Sequence, residues 1–319
     1  MSPKADHKNP FTHSPRRHCK NYQILFQISK INMSSRIIDT FERDGPERKT
    51  KVIVATVSRT ATISMYLAAQ ILGYTPYHMK EAIFDSECKD LEVINEALVA
   101  QYNRFSRIQR YTKGDWDKFF KQYDFIVEIP AFFGIDMLEA YADDPDVLFI
   151  LVERNPDRWA TSVNKTIGKG TQGLFKFPMN ILTPWNKQLH VFTTFNKYWY
   201  GVWSSSTTYG AADNHAGLCR AYTEYLSTAK KILPKDRLLH LRLEDGLDWD
   251  KLCNFLDKPV PKEPFPCEND AGDFEKVIGD WIGPRVMNAA LKLGSVVVVG
   301  LGLAGAFVWR TQGISQKWI

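Results

Sequence analysis

Residues 58–64 (Ser-Arg-Thr-Ala-Thr-Ile-Ser) put one guanidinium and four hydroxyls directly after the β-branched run KVIVATV at 51–57. A buried strand that turns into a helix leaves unpaired N–H groups and the positive end of the helix dipole at the junction, which suits a phosphate or sulfate. Arg59 adds a planar fork of donors, and Thr60, Thr62 and Ser64 add hydroxyls. Hydroxyls at a helix start also serve as plain N-caps, so the loop does not identify its ligand by itself. The ATPase pattern G-x-x-x-x-G-K-[ST] is absent.

A second constellation runs from 151 to 162, LVERNPDRWATS. A buried strand delivers Arg154 at its carboxyl end, where open α/β sheets bind ligands. Pro156 and Asp157 open a helix, and Ser162 follows about two turns on. Arg154 and Ser162 can then hold one phosphate between them. Two further groups have acid–base chemistry: His78 in the loop after the first helix, and Glu128 at a strand end before Pro130.

Positioning these groups needs a parallel sheet with crossover helices, and apolar runs alternate with helix-period segments between about 50 and 285. Strands are expected at 51–57, 125–129, 147–152 and 238–243, and helices at 64–72, 91–108, 157–165 and 216–232. Gly73 should stop the first helix, and Pro259, Pro261, Pro264 and Pro266 mark an extended stretch. Phe192, Phe195, Trp199 and Trp203 recur at helical spacing inside an aromatic segment at 175–203. Such a stripe packs a core, lids an apolar acceptor, or touches a membrane.

Composition narrows the class. The 319 residues are 44% hydrophobic and 24% charged, enough for one sizeable core. A net charge of +5 without a clustered basic stripe argues against nucleic acid. Five scattered cysteines, with no C-x-x-C pair, argue against a disulfide framework and a structural zinc site. No metal is expected, and His190 and His215 have no assigned role. Residues 1–45 read as a mobile arm ahead of a domain at 46–285, with a mitochondrial presequence as the minor alternative.

At the other end, residues 293–309 form 17 uncharged positions rich in Val, Leu, Gly and Ala, bracketed by Lys292 and Arg310. That length is at the short end of a bilayer span, and Trp309 and Trp318 suit an interface. A transmembrane anchor at 290–310 is expected, with the catalytic domain in the cytosol.

The two anion-gripping segments resemble the sulfotransferases that use 3′-phosphoadenylyl sulfate. More closely, the chain is similar to the fungal-type sulfotransferase family 4. The likeness rests on Arg59-Thr60-x-Thr62-x-Ser64, Gly73-Tyr74 with Tyr77-His78-Met79, Glu128-x-Pro130, and Arg154-Asn155-Pro156 with Trp159. Leu252-Cys253-x-Phe255-Leu256 and Pro264-Phe265-Pro266 with Asn269-Asp270 complete it. The resemblance implies a three-layer P-loop α/β fold. It implies that Arg59, Thr60, Thr62 and Ser64 hold the 5′-phosphosulfate, and Arg154 and Ser162 the 3′-phosphate. His78 and Glu128 would share the work of proton acceptor and orienter for the acceptor hydroxyl. The family loop reads Gly-x-Pro-Arg-Thr-Gly-Thr, whereas this chain has Thr56, Ser58 and Ala61. An alanine at 61 is expected to keep a negative φ. Sulfuryl transfer to a hydroxyl of an apolar small molecule is the implied function. Two alternatives are a donor-independent hydrolase, lyase or cyclase of secondary metabolism, and a membrane-tethered binding protein.

Overall fold

The computed structural model describes residues 35–267 and 271–315, without the side chains of 271–275 and 311–315. The segment 1–34, Asn269, Asp270 and Trp318 lie outside the described residues. Five strands, β1 (Val52–Val54), β2 (Pro76–Tyr77), β3 (Phe125–Val127), β4 (Leu148–Glu153) and β5 (Leu238–Arg242), form one sheet in the order β2-β3-β1-β4-β5. Every pairing is parallel, with Ile53 opposite Ile126 on one side and Phe149 on the other. The main helices are α1 (Thr62–Ile71), α2 (Lys89–Tyr102), α3 (Pro156–Val163), α4 (Lys187–Trp203), α5 (Asn214–Ile232), α6 (Trp249–Leu256) and α7 (Ala271–Ser315).

Because strand side chains alternate in direction, β-branched runs that are apolar at every position must be buried on both faces. Ile53, Ile126, Phe149 and Leu151 face a cluster containing Leu91, Ile94, Phe195, Trp199, Leu218 and Tyr222. Val52, Val54, Phe125, Val127, Ile150 and Val152 face the other way, onto Met65, Ala68, Trp249, Leu252 and Leu256. The result is the expected three-layer sandwich. The aromatic stripe of α4 is core: Phe192, Phe195, Trp199 and Trp203 are all buried.

Gly73 ends α1 as expected, and the geometry says why. Its N–H bonds Gln70 O at 3.0 Å, Tyr74 N–H bonds Ala69 O at 3.0 Å, and its φ is +83°. That double bond is the Schellman closure, whose left-handed residue favours glycine.

Two boundaries differ from expectation. Residues 35–43 are part of the domain and not an arm. Ile38 is fully buried, Arg36 holds Asp115 through both oxygens at 2.9 Å, and Arg43 pairs with the buried Asp90 at 2.7 Å. The C-terminal helix starts well before 290. Its early turns pack on the domain: Trp281 meets Phe192 at 5.2 Å, Arg285 Nε bonds Gln188, and Ala289 is fully buried. Beyond that point most of the described side chains through Arg310 are exposed. The helix is long and apolar enough to cross a membrane, and Val298, Leu301, Leu303, Phe307 and Trp309 are all exposed.

Candidate functional site

Parallel strands all end on one side, so the residues just past their carboxyl ends meet there. His78 follows β2, Glu128 follows β3, residues 55–61 follow β1, and Arg154 follows β4. β1 lies between β3 and β4. The chain leaves it for β2, returns through β3, then crosses over β1 to β4 and β5. The strand order therefore reverses at β1, the position where open α/β sheets bind ligands in a crevice. Thr56 widens it. Its Oγ1 accepts the Val152 N–H at 2.8 Å in place of a strand carbonyl, so the β1–β4 ladder ends there.

The loop after β1 is fixed from below by buried aromatics. Tyr225 Oη donates to Ala55 O at 3.0 Å, and Trp159 Nε1 donates to Ser58 O at 2.9 Å. Thr60 Oγ1 donates to Val57 O and is fully buried. Here the Thr60 hydroxyl ties the loop to itself. Ser64 differs: its Oγ is buried and meets no hydrogen-bond partner among the described residues. The start of α1 also lacks a side-chain cap.

Ala61 overturns the expected negative φ. It sits at φ +62° and Arg59 at φ +70°, so two non-glycine residues out of three adopt the left-handed region. The loop thus keeps the backbone a glycine would give, at a cost of roughly 1–2 kcal/mol per residue. Ala61→Gly is expected to raise stability by about 1 kcal/mol, since relief of left-handed strain exceeds the entropy added to the unfolded chain. Thermal melts of the two forms check this, and a lowered midpoint would contradict the left-handed assignment.

Arg59, Arg154 and Ser162, distant in sequence, come together. Arg59 Nε donates to Ser162 Oγ at 3.2 Å, and Arg154 Nη1 donates to Arg59 O at 2.8 Å. Arg154 is held from its own backbone, whose N–H bonds Tyr222 Oη at 2.9 Å. Burial lowers the pKa of the Arg59 guanidinium, and the Arg154 charge lowers it further. Burial is also the main cause that lowers Arg154. Two cations that repel each other in a half-buried crevice gain from an anion placed between them.

On the β2–β3 side, the His78 ring is fixed at both nitrogens. The Lys80 N–H donates to Nδ1 at 3.1 Å, so the ring proton sits on Nε2. Nε2 bonds Thr62 Oγ1 at 3.1 Å and lies 2.8 Å from Glu128 Oε2. The His78–Glu128 contact is thus an ion-pair distance, and Oε2 has no further hydrogen bond among the described residues. Burial pushes the Glu128 carboxyl up. The His78 ring, the Ser58 hydroxyl and Arg59 outweigh it, and the net is below the ordinary value. Glu128 itself stands at φ +72°, ψ −49°, a strained backbone held by the fully buried Ile129 beside it.

The structure thus brings most of the residues singled out by sequence into two bonded groups past the strand ends. One is Arg59 with Arg154 and Ser162, the other is His78 with Thr62 and Glu128, while Thr60 bonds Val57 O. Sequence reasoning missed Tyr222 and Tyr225, which bond the Arg154 N–H and Ala55 O, and gave Ser58 no separate role. Trp159 was visible only as a motif letter.

Over residues 51–274 the chain matches a family model described as a sulfotransferase domain. It is 28% identical over 274 residues to "Ava biosynthesis cluster protein M" of Aspergillus versicolor, covering 84% of this chain and 99% of that one. A crystal structure of a sulfotransferase from Alicyclobacillus acidocaldarius aligns over 77% of this chain and 96% of that chain, with a TM-score of 0.37 and 11% identity. The family match takes in all five strands, the loop after β1 and the Arg154 segment, and the chain belongs to the sulfotransferase-domain family.

Proposed function

We propose that the chain transfers a sulfuryl group from 3′-phosphoadenylyl sulfate to a hydroxyl of an apolar small molecule, while held to a membrane by α7. The observation that carries this reading is the convergence of Arg59, Arg154 and Ser162 beside the uncapped start of α1. The residues fit an anionic nucleotide: Ser64 Oγ is buried without a hydrogen-bond partner among the described residues, and the loop keeps its left-handed backbone without glycine. When bound, the donor supplies an electrophilic sulfuryl group and leaves as adenosine 3′,5′-bisphosphate.

The chain's own residues would divide the work by position. Arg59, Ser64 and the first N–H groups of α1 would hold the 5′ side, and Arg154 with Ser162 the 3′-phosphate. Glu128 would accept the proton of the acceptor hydroxyl. In this reading His78 is not the base, because its Nδ1 already accepts the Lys80 N–H and its Nε2 faces Thr62 Oγ1 and Glu128. His78 would then be a positioning residue that keeps the carboxylate in place. The Aspergillus versicolor relative is named as a biosynthesis cluster protein, in line with a small-molecule acceptor. Incubation of the full chain with ³⁵S-labelled donor and an apolar extract should move label into an extractable product. Turnover of the extract without donor would favour a lyase or cyclase instead.

The anchor rests on the exposed part of α7. Seventeen residues at 293–309 rise about 26 Å, slightly under the ~30 Å hydrocarbon layer, and Lys292 and Arg310 can reach the headgroups. An exposed apolar surface of this kind needs a covering. A chain ending after Lys292 keeps the Trp281 and Arg285 contacts, so it should stay folded and soluble. The full chain should sediment with membranes, and its recovery in the high-speed supernatant would contradict the anchor.

A further inference from the structure

Asp157 lies in the first turn of α3, and His215 and Cys219 lie four residues apart on α5. That spacing puts the His and Cys on one face of their helix, and the packing of α3 on α5 brings Asp157 opposite them. His215 Nε2 is 3.1 Å from Asp157 Oδ1, and Cys219 Sγ is 3.7 Å from the same oxygen. All three ligand atoms lie within 4.8 Å of one another.

Ligand bonds of ~2.0–2.3 Å in a tetrahedral zinc site set neighbouring donor atoms roughly 3.3–3.7 Å apart. Two of the three edges are therefore already close to that spacing. The third closes by side-chain rotation, because the Asp157 and His215 side chains are 80% and 47% exposed. The backbone beneath them is rigid: Trp159 stacks on Tyr222 with ring centres 4.4 Å apart and planes 11° apart. The sequence hides this arrangement, since Asp157 stands 58 positions before His215.

We propose that Asp157, His215 and Cys219 form a site for a borderline divalent transition-metal ion of the zinc class, open to solvent at a fourth position. A thiolate, an imidazole and a carboxylate select such an ion over magnesium or calcium, which take oxygen ligands. Binding would release the Cys219 proton and leave the His215 proton on Nδ1, so affinity would rise with pH. The ion would clamp the start of α3, next to Arg154, onto α5. This inference does not depend on the transfer reaction.

The test is a cobalt(II) titration of the reduced, tag-free full chain in detergent. A thiolate-to-cobalt charge-transfer band should appear and saturate, and zinc should displace it. Cys219→Ser should remove the band, and Asp157→Asn or His215→Ala should weaken cobalt binding by at least ~10-fold. Zinc should also raise the melting temperature of the parent, with reversal by a chelator. No band in the parent, or a band unchanged in Cys219→Ser, would overturn the proposal. Should Cys219→Ser fail to fold by circular dichroism, His215→Ala decides: cobalt affinity equal to the parent's would leave the triad as an ordinary surface ion pair.

Discussion

Glu128→Gln is expected to lower sulfuryl-transfer turnover by about 10²–10⁴-fold, the range for loss of a general base, while nucleotide affinity changes by no more than a few-fold. The substitution keeps the shape of a fully enclosed side chain and removes only its basicity. His78→Gln should cost less, because the ring is proton donor to its neighbours and its loss disturbs the position of Glu128 without removing the base. The pH dependence follows from the same carboxylate. Its folded value lies below the ordinary 4.5, so its contribution to stability is complete above the unfolded value and is lost as pH falls through the lower folded one. The acid limb of turnover should therefore fall below the ordinary carboxylate range and not near neutrality. Equal losses for the two variants, or an acid limb near pH ~6.5 where an ordinary histidine titrates, would return the base to His78.

Arg154→Ala is expected to weaken adenosine 3′,5′-bisphosphate binding by ~1.5–3 kcal/mol, or roughly 10–150-fold, the loss of a charge-assisted hydrogen bond. Ser162→Ala should cost about 1 kcal/mol, as a neutral donor does. Arg154→Lys should recover only part of the affinity, because a compact ammonium cannot reproduce the planar fork. These two positions share a ligand and also meet through Arg59, so their double variant should lose less than the sum of the single losses. Arg154→Ala with unchanged affinity would make the residue a brace for the loop and nothing more.

The sheet was legible because the runs at 51–57, 125–129 and 147–152 are nearly continuous in apolar and β-branched residues, which a two-faced parallel sheet requires, and 238–243 alternates Leu with His240 and Arg242 as an edge strand does. β2 was not, since two residues, one of them Pro76, carry no period. The order of Ile38, Arg36 and Arg43 on the domain was also hidden, because their partners Asp115 and Asp90 lie far along the chain. At the site, the chemistry of Arg59, Arg154 and Glu128 was readable from residue type and strand-end position. Which hydroxyls are free was not: Thr60 and Ser64 look alike in sequence, and only the position of Val57 O separates them. The sign of φ at Ala61 ran against its side chain. Local preference favours a negative angle, and the Trp159 and Tyr225 bonds that fix the loop override it. The proximity of Asp157, His215 and Cys219 was hidden for the same non-local reason.

The most direct measurement is a calorimetric titration of the full chain in detergent with adenosine 3′,5′-bisphosphate, repeated on Arg154→Ala. Saturable binding to the parent, weakened at least ~10-fold in the variant, is the expected result. No heat from a parent shown folded by circular dichroism would contradict a donor site in this crevice.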